Sequence, residues 1–85
     1  MSYGNGEMSE ADERELDLEM LREDLVGELN AINQYQDHIE SLEYQEALHV
    51  LEHSRDDEKE HVAELTKLIQ KLDATQAAKF KKEGL

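Results

Sequence analysis

Two heptad seams run through the chain, and each loses its apolar character at one level. In the first half, Leu18, Leu21, Leu25, Glu28, Ile32, Tyr35, Ile39 and Leu42 follow one another at alternating spacings of three and four. In the second half, Ala47, Leu51, Ser54, Glu58, His61, Leu65, Leu68 and Leu72 do the same. That spacing keeps one stripe of a helix turned towards one partner, whereas a strand would alternate with a period of two. An all-α fold is predicted. Glu28 is the one ionisable member of the first seam apart from the Tyr35 phenol, and Ser54, Glu58 and His61 form a contiguous polar stretch in the second.

The punctuation fits two long helices and a short one. Ser9-Glu10-Ala11-Asp12 resembles a capping box, so a first helix is predicted from there to about Ser41. The link falls near Ser41 to Tyr44, with Ser41 a candidate N-cap, and so short a link implies an antiparallel hairpin. Asp73 is read as the cap of a short third helix, Ala74 to about Lys82, with Ala77 and Phe80 available for packing. Residues 1–8, with Tyr3-Gly4-Asn5-Gly6, have no periodicity and are read as a disordered tail. The helical domain is then 9–82, with 83–85 a frayed C-terminus.

Size and charge narrow the function. Eighty-five residues lie near the limit at which one chain buries an adequate core, and oligomerisation is a common remedy. Twenty-two acidic residues against nine basic ones give a formal charge of −13, which argues against nucleic acid and anionic membranes as partners. There is no cysteine, which excludes disulfides and thiolate metal sites. No apolar run is long enough to span a membrane, and the acidic N-terminus is unlike a signal peptide, so a cytoplasmic location is expected.

The polar level carries the chemistry. Glu58 and His61, three residues apart, project from one face of a helix and can reach one metal ion. With the turn centred near residue 43, Glu28 and Glu58 are equidistant from it and lie at the same height across the hairpin. Burying such carboxylates costs several kcal/mol each, even after relaxation. A second copy related by a two-fold axis answers both the burial and the charge, making a ferritin-like four-helix bundle. Four carboxylates then balance two divalent cations. Carboxylate and imidazole donors without thiolate suit iron or manganese, with zinc or cobalt as substitutes. Di-iron carboxylate bundles use this donor set, a Glu from each of two helices and a Glu-x-x-His from each of the others. A bland reading stands beside this one: Glu-x-x-His also arises as a solvated pair on an acidic helix, Tyr35 as plain core, and the acidic runs of residues 7–24 as a solvated face. His38, His49 and His53 are expected to be exposed.

The segment Glu28-Leu29-x-Ala31-x-x-x-Tyr35, followed by His53-x-Arg55-Asp56-x-Glu58-Lys59-Glu60-His61, resembles the encapsulated ferritins. These are two-helix ferritin-like ferroxidases, and the resemblance covers roughly residues 18–80. It implies that Glu28, Glu58 and His61 are the ligands of an intersubunit di-iron site and that Tyr35 lies beside the metals. It further implies secondary metal contacts from His53 and Asp57 at the site's entrance. A homodimer within a larger ring, a decamer in that family, and residence inside an encapsulin nanocompartment are expected on the same ground. Three positions depart from the family pattern: Gly27 and Asn30 stand where acidic residues flank the ligand Glu, and Gln34 where a tryptophan precedes the tyrosine. The iron access route is therefore expected to differ. No shell-targeting peptide is recognisable after Lys82.

The expected activity is oxidation of Fe(II) to Fe(III) by dioxygen, for iron storage or detoxification. Two rivals are a rubrerythrin-like di-iron peroxidase and a metal-free helical oligomerisation module.

Overall fold

The computed structural model describes residues 8–85, so nearly all of the tail read over residues 1–8 lies outside it. Three helices follow in order: α1, Glu10–Ser41; α2, Gln45–Leu72; and α3, Ala74–Lys82. No strand occurs among the described residues. The Ser9 hydroxyl accepts from the Asp12 N–H (3.1 Å), and the Asp12 carboxylate accepts from the Ser9 N–H (3.4 Å). This capping box satisfies two of the donors that a helix start leaves unpaired.

α1 and α2 form the antiparallel hairpin that the seams require, joined by Leu42, Glu43 and Tyr44. The expected role of Ser41 is corrected here. Ser41 is the last residue of α1, and its hydroxyl donates back to the Asp37 carbonyl at 3.2 Å. α2 starts from Tyr44, which supplies no side-chain cap. A serine one turn from a helix carbonyl can satisfy itself within that helix, and here it does.

Asp73 behaves as the spacing predicts. Its carboxylate accepts from the Gln76 N–H (3.0 Å) and caps α3. It also accepts from the Arg22 guanidinium at 2.9 Å, tying the start of α3 to α1. Arg22 reaches Glu15 as well, at 3.3 Å. At the other end, Gly84 adopts φ 80, a left-handed conformation that costs glycine little. The Leu85 N–H then bonds the Phe80 carbonyl (2.8 Å) and the Gly84 N–H bonds that of Lys81 (3.1 Å). Residues 83–85 thus close α3 in a Schellman motif.

The molecule measures 63 × 36 × 14 Å. Its 14 Å thickness is close to one helix diameter, about 10–12 Å with side chains. The hairpin is a single layer. Accordingly, among the described residues, only Leu18 and Ile69 are fully buried, at 3% and 4% exposure. Leu18 lies on the first seam, whereas Ile69 stands one residue off the second, beside the exposed Leu68; every other seam residue is half-buried or exposed, because each helix covers only one flank of the other's stripe.

The Asp73 carboxyl is held below its ordinary value, first by the Gln76 backbone donor and then by Arg22. A depressed folded pKa adds stability above the unfolded value, about 3.9, that is lost as pH falls through the folded value. Protection factors in α3 (exchange rates relative to an unfolded chain at the same pH) are therefore expected to be high at pH 7 and to fall below about pH 4 as Asp73 is protonated. Asp73→Ala should show low α3 protection factors at both pH values, with those of α1 and α2 unchanged; equal protection in the variant would refute the cap.

Candidate metal centre

Glu28 comes from the middle of α1, and Glu58 and His61 from the middle of α2. The hairpin register brings them together. His61 Nδ1 lies 3.3 Å from Glu58 Oε2 and 3.5 Å from Glu28 Oε2. One ligand atom from each residue lies within 4.8 Å of the other two. The Glu58 and Glu28 side chains are partly shielded, at 19% and 26% exposure, while His61 is half open at 47%. No Lys or Arg ion pair reaches either carboxylate among the described residues; His61 is their common partner.

The three side chains line a surface hollow of about 570 Å³ with Glu23, Asp24, Gly27, Ala31, Glu64 and Leu65. Two carboxylates and one imidazole are donors for a hard or borderline divalent ion, and an octahedral shell would have positions to spare. A methyl group added at Gly27 meets nothing within 4 Å, so the hollow is open there. Beside it, an apolar hollow of about 410 Å³ is lined by Met20, Leu21, Leu68 and Leu72, with Asp17 and Asp24 at its edge.

Other expected residues lie elsewhere. Tyr35 is half-buried two turns beyond Glu28, about 10 Å along the helix, and does not line the hollow. His53 and Asp57 pair with each other at 3.4 Å on the exposed surface of α2, outside the hollow. Asn30 and Gln34 are exposed. Arg55 has a role that motif reading missed: its guanidinium donates to the Gln36 side-chain carbonyl at 2.9 Å, clamping α2 to α1 one turn from Glu58. Asp24, within the run read as a solvated face, and Glu64, which no motif singles out, each stand one helical turn from a member of the triad.

The profile of the EncFtn-like family matches residues 5–83. The chain belongs to the EncFtn-like family. As an encapsulated-ferritin-like protein it is also similar to the encapsulin nanocompartment cargo protein EncC of Myxococcus xanthus (strain DK1622). The two are 41% identical over 61 residues, covering 72% of this chain and 47% of EncC, so the chain spans about half the length of that curated relative. No solved structure matches the chain. No helix among the described residues of this EncFtn-like chain is long and apolar enough to cross a membrane.

If the triad holds metal, Co(II) added to the EncFtn-like chain should give visible d–d absorption. His61→Ala should weaken uptake by more than about a hundredfold, since even outer hydrogen-bond partners of metal ligands cost about 10–100-fold. Helix content by circular dichroism should be retained. Equal titrations of wild type and variant would remove His61 from the donor set.

Proposed function

We propose that this chain is a ferroxidase, oxidising Fe(II) to Fe(III) with dioxygen at a di-iron site completed by a second copy of itself. The observation that carries this reading is the convergence of Glu28, Glu58 and His61 within 4.8 Å on a face that a one-layer hairpin leaves uncovered. A partner related by a two-fold axis supplies the same three residues. Two iron ions would then have four carboxylates and two imidazoles, the donor set of di-iron carboxylate bundles. Manganese, zinc or cobalt fit the same donors as substitutes.

The surface around the triad supports such a partner. Met20 and Leu68, beside the apolar hollow, are 56% and 41% exposed. Val50, three turns before His61 on the same face of α2, is 59% exposed. This apolar area flanks the charged level on both sides, as a two-fold interface would require. The larger ring, the decamer, and the roles of Tyr35, His53 and Asp57 belong to the same proposal. Tyr35 would hydrogen-bond a ligand or give an electron, with His53 and Asp57 as secondary metal contacts.

In this reading the chain's own residues fix two substrate irons close together, and each Fe(II) gives one electron to dioxygen. The carboxylates favour the more highly charged product ion, which lowers the barrier to losing that electron. A layer 14 Å thick encloses no mineral, so Fe(III) must be stored outside it. Residence inside an encapsulin nanocompartment fits that need, and the EncC relative is named as such a cargo.

Size-exclusion chromatography with light scattering, under anaerobic conditions with and without Fe(II), tests the shared site. The expected result is about one iron per chain together with a shift to dimers or larger rings. On admitting air, oxidation should proceed in wild type and be abolished by Glu58→Ala. Oxidation by hydrogen peroxide alone would replace this activity with a peroxidase. No bound iron and an unchanged oligomer would leave a metal-free module.

A further inference from the structure

Glu28 and Glu58 bring two negative charges to one level of the hairpin, with one oxygen of each within 4.8 Å of the other. A single imidazole, carrying at most one positive charge, cannot neutralise both. Before an ion binds, the surplus charge presses α1 and α2 apart at this level. The seam there offers polar side chains instead of apolar contact, so a tie from elsewhere has to hold the helices together.

Apart from the His61–Glu28 pair itself, one polar side-chain contact joins α1 to α2 among the described residues: the 2.9 Å hydrogen bond from Arg55 to Gln36. It is anchored at both ends. Arg55 Nε donates to Asp56 on its own helix at 3.1 Å, and the Gln36 amide donates to Glu40 on its own helix at 3.1 Å. The Arg55 side chain is 21% exposed against 44% for Arg22, so this bond is better shielded from water than the pair at the open end. Arg55 stands three residues before Glu58 and six before His61, which turns it about 60° and 120° away from them round α2. Neither Arg55 nor Gln36 lines the hollow. Arg55 therefore touches no ion held there, and what it governs is the alignment of two backbones.

We propose that Arg55 is a positioning residue of the metal centre: through Gln36 it holds α2 against α1, so that Glu28, Glu58 and His61 are gathered within reach of one ion before that ion binds. The assignment rests on the metal-centre reading above and deepens it. Its effect is preorganisation. Without the tie the helices part at the charged level, a smaller fraction of chains presents three converged ligands, and the apparent affinity falls by that fraction. The ligands gathered once an ion has bound are the same three, so the number and the spectrum of bound ions do not change. Charge alone predicts the opposite sign, because deleting a cation near two carboxylates tightens the binding of another cation.

Co(II) titration of the full-length chain, read by d–d absorption, tests the sign. Gln36→Leu, which removes the acceptor without changing charge, and Arg55→Met should each weaken binding by about 10–100-fold, the range for outer partners of metal ligands. The double variant should bind no more weakly than either single one, since both remove the same bond. Stoichiometry and the saturated spectrum should match wild type. Unchanged affinity in Gln36→Leu, or tighter binding in Arg55→Met, overturns the proposal. An additive loss in the double variant also overturns it, by giving the two residues separate roles, and so does an altered saturated spectrum, by changing the ligand set itself. Amide exchange on the metal-free chain examines the same tie without any ion: protection factors around Glu28 and Glu58 should fall in Gln36→Leu and recover when Glu28→Gln removes the opposing charge. No recovery reduces the tie to general packing and overturns the proposal. Gln36→Leu alone decides both measurements if Arg55→Met loses helix content. The metal-centre reading fails separately, if His61→Ala takes up Co(II) as wild type does.

Discussion

The register of the α1–α2 hairpin is the constraint on which the rest depends. One residue of slip moves a helix about 1.5 Å along its axis and turns its side chains by about 100°. Either change would separate Glu28 from Glu58 and His61 and set a carboxylate against leucine. The register is held from both ends and at its centre. Three residues, Leu42, Glu43 and Tyr44, join the helices, too few to allow a shifted pairing. Arg55 bonds Gln36 across the hairpin beside the site. At the open end, Arg22 reaches Asp73, which also starts α3. The exposed ion pair adds little energy by itself.

Holding that register leaves an imbalance that the single chain does not resolve. Two like charges sit 19% and 26% exposed beside one imidazole, on a seam whose other members are mostly apolar. With only Leu18 and Ile69 buried among the described residues, little apolar burial offsets them. Covering the face with apolar surface alone would worsen the charge problem, by removing water from the carboxylates. Supplying cations alone would leave Met20, Val50 and Leu68 in water. A second copy with bound divalent ions answers both, and for that reason the metal and the partner belong to one proposal.

The helices were legible because they rest on period and caps. An alternation of threes and fours over two segments has one reading, and Ser9 and Asp73 cap as their positions suggest. The convergence of Glu28 with Glu58 and His61 was legible too, since a short link fixes which heights meet. What escaped depends on competition between similar residues. Ser41 could cap α2 or bond back to Asp37, and the sequence does not rank those options. Asp24 and Glu64 are two among 22 acidic residues, and only the hollow distinguishes them from solvated neighbours. Tyr35 lies on the seam in either reading, and in the proposed dimer its distance from a metal would be set by a partner helix rather than by its own.

The proposed half-site on each chain would have a thermodynamic consequence that a one-chain bundle avoids. If the ligands of one ion come from two copies, metal binding and association are one linked equilibrium, and each strengthens the other. Dilute apo chains would hold the triad open, with His61 still half exposed, and would retain ions weakly. High local concentration, such as confinement in a shell provides, would favour the dimer and hence the tighter site. In the proposed dimer the sparse burial of the lone hairpin would be part of the control: a hairpin stable and closed by itself would lose the dependence of its chemistry on assembly.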